Sequence, residues 1–468
     1  MPPHALRAPH RLAIMSKRFL QVLPRLISRQ IAHLLGLLLA LGGQSALAQT
    51  PHTDLASALT QASARDPLAA QLSARLNQAQ AGIDIARSLT PGPAAVSLNH
   101  LSDRLQRDQG RREWEVEVAT PLWLPGQQGA SQRQAEHTLA ELQARLTLRQ
   151  LELAGLLRDS WWQLAQARAA RELAQQRLQT ATALAQAVQR RYQSGDVARV
   201  DANLARTERL SAQAEALEAD TALLQAQQAY TALTGMPPPP TDLQAEAAPP
   251  QPQAGTTAPE APPDHPVHPQ WQALQSAVAL ANSRLALVDS SRREPPELAL
   301  RWTTQRSDAL NPYDQAIGIK LTVPLSSGDR VRQESAGARA DLAQAERELA
   351  LLGMQLDQAL QRAQSELASA QAQTELATTR RELTADNLKL AQRAFDLGEQ
   401  DLPTLLRARS ADHEAQAWLT RQRIASQAAV SHLQQARGLL PQPASAEPST
   451  AQTLWPQPIP SQSSTPQP

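Results

Sequence analysis

Two hydrophobic periodicities alternate along this chain, and each occurs twice. In residues 113–120 every second side chain is apolar, with Trp114, Val116 and Val118 interleaved with glutamates. This period of two predicts a β-strand with one apolar and one polar face. Over residues 127–193 apolar side chains instead recur every three or four positions and no proline intervenes. That spacing predicts one very long helix.

The same order of patterns returns later in the chain at a constant offset. Gly195 and Gly398 are 203 positions apart, and so are four other pairs of prolines, aromatic residues and glycines in residues 93–235 and 296–438. A repeat at a fixed offset predicts one architecture built twice. We therefore expect two tandem halves of helix, β-hairpin, long helix and return helix.

The element boundaries follow from the periods and from glycine and proline. In the first half we predict a helix over 54–89, strands over 94–101 and 113–120, a long helix over 127–193 and a return helix over 199–235. In the second half we predict strands over 298–305 and 316–321, a long helix to Gly398 and a return helix from Pro403. A helix of roughly 65 residues is on the order of 100 Å long. That length suits a protein that crosses a periplasm.

Leucines at seven-residue steps mark seams on the second long helix. They are Leu376, Leu383, Leu390 and Leu397. Such heptads indicate packing against neighbouring helices in a left-handed coiled coil. Aromatic residues make up only 3% of the chain, so a thick mixed core is not expected and a mainly α fold with short β segments is.

The N-terminus has the composition of a secretory signal. Arg25 and Arg29 precede an apolar run over 31–41, and Ala46 and Ala48 provide small residues for cleavage. We predict a signal peptide over 1–48, with the start codon at Met1 or Met15 left open. The predicted domains are then a first repeat over 49–235, a Pro-rich linker over 236–265, a second repeat over 266–440 and a disordered tail over 441–468.

Charge and cysteine content exclude some functions. The first 48 residues hold six of the 45 Lys and Arg residues and none of the 44 acidic ones, which leaves 39 basic against 44 acidic and a net charge of −5. A mildly acidic protein is not expected to bind nucleic acid. The chain has no cysteine, so disulfides and thiol chemistry are absent. The sequence contains no hydrolase, zinc-peptidase or phosphate-loop motif, so we predict no enzyme activity, no cofactor and no metal site.

Four short alternating strands cannot close a sheet, and lipid does not tolerate open sheet edges. Three chains together would supply about 12 strands, which lies within the size range of outer-membrane barrels. The long helices would then continue this barrel as a tube. The predicted fold is therefore a trimeric α-helical tunnel beneath a 12-stranded β-barrel, with four strands from each chain.

The chain resembles the TolC-like outer-membrane efflux protein family over nearly its whole mature length. The resemblance rests on the duplicated element order, on the starts of the long helices at 121–127 and 324–328, and on an aromatic residue three positions before glycine at 192–195 and 395–398. It implies a homotrimeric channel in outer-membrane lipid of a Gram-negative bacterium. The implied partners are a periplasmic adaptor and an inner-membrane pump of the resistance-nodulation-division type, for which the protein would be a passive exit duct.

The resemblance also implies roles for particular residues. The adaptor contacts would be Gly195, Gly398, Tyr192 and Phe395. Carboxylates beside them would form rings that favour cations at the aperture, namely Asp196, Asp201, Glu399 and Asp401, with Arg199 and Arg407 as ion-pair partners in the closed state. Plain helix termination accounts equally for the glycines, and helix capping for the acids. Trp114 and Trp302 are candidates for an interfacial aromatic belt, or for ordinary packing.

Two other classes of protein, and several cargoes, stay open. A type I secretion duct would share this architecture, whereas a periplasmic adaptor or coiled-coil scaffold would need only one hairpin or no strands. The general resemblance extends to exit components of heavy-metal systems of the cobalt–zinc–cadmium type. No His-rich or Met-rich track supports that cargo, so heavy-metal cations, drugs, other solutes and polypeptides all stay possible.

Overall fold

The computed structural model describes residues 54–105, 109–239, 267–325 and 328–442. The predicted signal peptide, the C-terminal tail and most of the linker lie outside these ranges. In chain order the elements are α1 (Leu55–Arg65), α2 (Pro67–Ala86), β1 (Ala95–Ser102), β2 (Arg112–Pro121), α3 (Gln127–Gln193), α4 (Arg199–Thr234), α5 (Pro269–Ser290), β3 (Glu297–Arg306), β4 (Asp314–Thr322), α6 (Gly328–Asp396) and α7 (Leu402–Ala436). The mainly helical fold with four short strands is confirmed.

The prediction of one continuous first helix is wrong. The chain forms two helices, α1 and α2, which meet at Asp66 and Pro67. Proline has no N–H to donate and fits the first turn of a helix, while the Asp66 carboxylate accepts the N–H of Ala69 at 2.9 Å. The guanidinium of Arg149 on α3 pairs with the same carboxylate at 2.9 Å. The junction between α1 and α2 is therefore a defined corner, which the ion pair with α3 stabilises.

The long helices have the predicted lengths. α3 contains 67 residues and α6 contains 69, and the bounds of α3 are those expected from the proline-free stretch. Each long helix turns back into a shorter one, so that α3 with α4 forms hairpin 1 and α6 with α7 forms hairpin 2. No described helix combines the length and the hydropathy that a transmembrane helix requires.

The helices form a layer whose order changes along its length. Nearer the sheet the neighbours run α2, α3, α5, α6, and in the other half they run α4, α3, α7, α6. In both halves α6 lies at one edge of the layer. The opposite edge is α2 in the first half and α4 in the second, so each chain presents two different helical edges.

Each hairpin buries a heptad of alanines along its seam. Ala363, Ala370 and Ala377 are buried on α6 at seven-residue steps. On α4 the corresponding buried heptad is Ala205, Ala212 and Ala219. Small side chains let the paired helices approach closely, although each contributes little buried area.

The leucine heptad that we predicted as a seam on α6 is not covered within the chain. Leu376, Leu383, Leu390 and Leu397 are between 56% and 74% exposed. A second exposed heptad, Leu210, Leu217 and Leu224, runs along α4. The two stripes lie on the two edge helices of the layer, so neither has a partner among the described residues. We call them the α6 stripe and the α4 stripe.

The four strands form one antiparallel sheet in the order β1, β2, β3, β4. Each half contributes one hairpin, and β2 joins them by pairing with β3, with Val116 opposite Trp302. The observed strands differ from the predicted ones by one or two residues at each end. β1 and β4 are the outer strands, and each has one edge without a partner in the described chain.

The two faces of the sheet differ as the alternation predicted, but the apolar face points away from the protein. Val96, Leu98, Leu300, Ile317 and Ile319 share this face with the other apolar side chains of the strands. Ile317 and Ile319 are 77% and 78% exposed. A face of this kind is unfavourable in water. An extended exposed apolar patch normally marks an interaction surface.

The largest buried cluster lies where α1, α3, α4 and α7 meet. Trp161 and Trp162 are both buried there and fill this core. The indole N–H of Trp162 donates to the Ser431 hydroxyl at 3.0 Å. The buried guanidinium of Arg158 donates to the Leu439 carbonyl at 3.0 Å. Both bonds attach the end of hairpin 2 to the middle of α3.

Candidate functional site

The two hairpin tips have the same backbone geometry. Gly195 has φ of 87° and Gly398 has φ of 77°, a region that glycine adopts without steric cost. The N–H of Asp196 donates to the Arg191 carbonyl at 2.8 Å, and the N–H of Glu399 donates to the Ala394 carbonyl at 2.8 Å. This is the bond pattern of a Schellman motif, so both glycines end their helices as the repeat predicted.

The predicted aperture acids have different local partners. Asp401 caps α7, because its carboxylate accepts the N–H of Thr404 at 3.1 Å. Hydrogen bonding by the Thr404 side chain is the main cause that lowers the pKa of Asp401, followed by the Thr404 backbone N–H, and Arg407 adds a weaker effect. Asp196 accepts the hydroxyl of Ser194 at 2.9 Å, and Asp201 lies in the first turn of α4. Glu399 is exposed beside its glycine.

The two predicted basic partners form no ion pair with these acids inside one chain. Arg407 donates to the Thr404 hydroxyl at 3.2 Å, and Arg199 is exposed at the start of α4. Within the described residues, no carboxylate lies within ion-pairing distance of either guanidinium. The pairing that we predicted for a closed state stays a prediction about contacts between copies.

The two tip aromatics are not equivalent. Tyr192 is 39% exposed and available for contact. Phe395 is half-buried, and the guanidinium of Arg191 lies over its ring, 5.5 Å from the centroid. An arginine over an aromatic ring is attracted by the ring quadrupole. Phe395 therefore joins the tip of hairpin 2 to that of hairpin 1.

Behind the tips the four helices form a small apolar core, which we call the tip cluster. Its buried members are Leu184, Val188, Ala205, Leu402 and Leu405. Phe395 packs against it from α6, so every helix of both hairpins contributes. The tip cluster holds the ends of the two hairpins together.

Above the tip cluster the hairpins separate around a polar cleft of about 470 Å³, which we call the inter-hairpin cleft. Its wall carries ion pairs between helices: Arg177 with Glu208 at 2.9 Å and Arg381 with Asp412 at 2.6 Å. Beside it, His413 on α7 contacts Glu215 on α4 at 3.1 Å. The ion pairs join helices within each hairpin, whereas the hairpins are linked to each other here by the His413–Glu215 contact and at the tips by apolar contacts.

Both predicted belt residues lie on the apolar face of the sheet. Trp114 and Trp302 are each 40% exposed. The ring of His100 stacks on Trp114 with centroids 3.9 Å apart, and Trp302 lies opposite Ile317 on β4. The two indoles therefore face outward, and they pack only against neighbouring strands of the sheet.

The polar face of the sheet carries a charge network that the sequence did not indicate. Glu117 is buried and pairs with Arg301 at 2.9 Å and with Lys320 at 3.2 Å. Arg301 also contacts Glu115 at 3.1 Å. The network ties β2 of the first half to β3 and β4 of the second. Only the strand register, which local periodicity does not encode, brings these residues together.

Arg191, His413 and the inter-hairpin cleft were likewise missed by sequence reasoning. Their contacts join residues that are about 200 positions apart, since Glu215 and His413 are separated by 198 positions. The repeat offset of 203 was one signal in the sequence for these contacts. Residues that are near equivalent positions of the two halves contact each other between hairpin 1 and hairpin 2.

Residues 58–236 match the family described as outer membrane efflux protein. The matched segment spans the first predicted repeat almost entirely. The sequence matches no curated protein at a significant level.

Three solved structures share the fold. The outer membrane protein VceC from Vibrio cholerae is 17% identical with a TM-score of 0.66, over 83% of this chain and 97% of VceC. CusC, a protein described as forming a transmembrane channel, is 14% identical with a TM-score of 0.69, over 82% of this chain and 92% of CusC. The Campylobacter jejuni CmeC outer membrane channel is 14% identical with a TM-score of 0.65, over 82% and 85%.

The family match and the fold agree with each other and with the duplicated architecture. Proteins of this family are passive channels and not enzymes. Residues 58–236 thus match the outer membrane efflux protein family, and the chain as a whole shares the fold of solved outer membrane channel proteins.

Proposed function

We propose that the protein is the outer-membrane exit duct of a tripartite efflux system. The observation that carries this proposal is the exposed apolar face of a sheet with two open edges. In water such a face is unfavourable. In lipid the apolar face is favourable, but the open edges are not, because their N–H and C=O groups find no water. A closed barrel embedded in the membrane satisfies both.

Three copies complete such a barrel. β4 of one copy would pair with β1 of the next and give 12 strands. The polar face, with Glu117, Arg301 and Lys320, would then line the pore. Trp114 and Trp302 would lie in the aromatic belt on the outer face.

The helical edges support the same closure. The α6 stripe on one copy faces outward at one edge of the layer, and the α4 stripe faces outward at the other. Leucine heptads on two edges pack together as a coiled-coil seam when copies are placed head to tail. The open sheet edges and the exposed helix edges are thus both covered by the same neighbouring copy, and the homotrimer forms a continuous tunnel.

The tips are the proposed docking end. Gly195, Gly398 and Tyr192 are exposed there, where a periplasmic adaptor linked to an inner-membrane pump would bind. Phe395 supports this contact indirectly, since it holds the two tips together. The acids Asp196, Asp201, Glu399 and Asp401 would surround the aperture in three copies and favour cations.

The cargo follows from the pump that loads the duct. We propose heavy-metal cations, drugs or other small solutes as the cargo, since the sequence resembles exit components of heavy-metal systems. A type I secretion duct is the alternative within this fold. An adaptor or soluble scaffold fits less well, because the outward apolar face of the sheet would then be exposed to water.

Paired lysine substitutions test the membrane assignment. Ile317→Lys places a charge on the apolar face, whereas Ala316→Lys places it one residue away on the polar face. A lysine facing the bilayer centre costs about 2–4 kcal/mol. We expect Ile317→Lys to reduce heat-modifiable trimers in the outer-membrane fraction several-fold and Ala316→Lys to leave them near the wild-type level. Equal trimer yields for the two variants would contradict a lipid-facing apolar surface.

A further inference from the structure

The inter-hairpin cleft has more positive than negative groups on its wall. Four cationic side chains line it, Arg177, Arg381, Lys389 and Arg409, against two carboxylates, Glu208 and Asp412. Two of the cations are neutralised, because Arg177 pairs with Glu208 at 2.9 Å and Arg381 pairs with Asp412 at 2.6 Å. The remaining excess comes from Lys389 on α6 and Arg409 on α7.

Arg409 is the less solvated of these two cations. Its guanidinium donates to the Gln392 amide oxygen at 2.9 Å, and among the described residues no carboxylate lies within ion-pairing distance of it. Burial is the largest influence on this group and lowers the pKa of Arg409, while the more distant Asp396 and Glu208 offset that effect only in part. A half-buried cation without a counter-charge is unfavourable.

We propose that the inter-hairpin cleft binds a small oxyanion, with Arg409 and Lys389 as its principal ligands. The planar guanidinium fork matches the paired oxygens of a tetrahedral oxyanion, and the ammonium of Lys389 adds a point charge. Thr180 and Gln176 on α3 also line the cleft and offer neutral donors. At about 470 Å³ the cleft has room for phosphate together with water.

Such an anion would connect the two hairpins. Lys389 and Arg409 belong to hairpin 2, whereas Thr180 and Arg177 belong to hairpin 1. The bound ion would add charge-assisted bonds at the level where the hairpins are otherwise separated. If the protein is the duct proposed above, occupancy of the cleft would hold the tunnel wall in its resting arrangement.

Inorganic phosphate is the probe for this site. In purified full-length protein, the thermal midpoint is measured against phosphate concentration at constant ionic strength, with chloride as the replacing ion. We expect a saturable rise for the wild type. Loss of one charge-assisted ligand corresponds to about tenfold or more in affinity, so Arg409→Gln should abolish the rise in the same concentration range and Arg409→Lys should retain part of it.

Two further variants keep the test decisive. Lys389→Gln changes an exposed side chain, so it is expected to fold and to weaken phosphate binding. Arg393→Gln removes an exposed charge from the same helix outside the cleft and should bind phosphate like the wild type. A non-saturating rise, an unchanged Lys389→Gln or an equal loss in Arg393→Gln would each overturn the proposal. None of these outcomes depends on membrane insertion, which the lysine pair at 316 and 317 tests separately.

Discussion

At the scale of single residues, the tips combine helix termination with charge. The positive φ of Gly195 and Gly398 ends α3 and α6, and a Cβ added at either position would meet nothing within 4 Å. Any substitution there therefore acts through the backbone alone. Asp401 has two roles to separate, because the carboxylate that would face the aperture also caps α7.

Asp401→Asn separates the cap from the charge. Asparagine caps helices about as well as aspartate, so the thermal midpoint should stay close to the wild type. If three Asp401 carboxylates surround the aperture, their removal should lower the cation-to-anion permeability ratio. The measurement is the reversal potential in planar bilayers under a salt gradient.

Glu382→Gln is the matched control for this substitution. Glu382 is an exposed acid on α6, away from the tip. Its loss should leave the reversal potential unchanged. An unchanged value for Asp401→Asn as well would leave Asp401 with a capping role only.

At the scale of elements, the corner between α1 and α2 shows how one carboxylate fixes a junction. Asp66 accepts the N–H of Ala69 and two bonds from Arg149, each at 2.9 Å. The hydrogen bonds from Arg149 are the main cause that lowers the pKa of Asp66. The corner is therefore stabilised by the ionised form.

Asp66→Asn is expected to destabilise the fold by about 2 kcal/mol at neutral pH, because asparagine retains the cap but loses the charged pair. A carboxyl whose pKa is lower in the folded state stabilises the fold above the unfolded pKa, near pH 4, and that contribution disappears as pH falls through the folded-state pKa. The difference between wild type and variant should thus shrink in acid. Thermal midpoints by circular dichroism between pH 3 and 7 measure it.

Asp84→Asn provides the control on α2. Asp84 is exposed, and its loss should shift the midpoint little at any pH. A constant difference between wild type and Asp66→Asn across the pH range would show that the carboxylate charge does not stabilise the corner.

The elements were largely predictable from the sequence, whereas their contacts were not. A proline-free run with a period near 3.6 defines α3 to the residue, and Pro67 accounts in hindsight for the break that we did not predict. The heptads of α6 gave the right period but did not identify the partner helix, since local spacing cannot distinguish a seam inside the chain from one outside it. The alanine heptad of Ala363, Ala370 and Ala377 was the sequence signal for the seam within hairpin 2.

The network of Glu117, Arg301 and Lys320 shows the same limit in the sheet. Alternation predicted which side chains share a face. The pairing of β2 with β3 joins residues 184 positions apart, and that register comes from tertiary packing. The inter-hairpin cleft depends on four helices at once and so had no local signature.

At the scale of the whole molecule, the apolar face of the sheet and the two leucine stripes have no partner within the part of the chain that the structure describes. Each buried leucine contributes about 1.5–3 kcal/mol. The stripes on α6 and α4 are therefore expected to supply much of the free energy that joins neighbouring copies along the tunnel.

Leu376→Gln combined with Leu383→Gln should weaken that joint. We expect a lower temperature of trimer dissociation in semi-denaturing gels and a larger monomer fraction by native mass spectrometry. Glu375→Gln with Glu382→Gln alters the residue immediately before each leucine, also exposed on α6, and should leave the trimer intact. Equal dissociation temperatures for the two double variants would exclude the α6 stripe from the interface.

The head-to-tail arrangement that we propose for the unlike edges has a genetic consequence. A copy with one edge altered by mutation can still bind a normal neighbour through its intact edge. It therefore enters the ring, where its altered edge leaves one interface unformed. With equal amounts of damaged and normal chains mixing at random, roughly one ring in eight would consist of normal chains alone. Alleles that spoil a single edge should accordingly be dominant, and cells carrying one beside the intact gene should become sensitive to the exported compound.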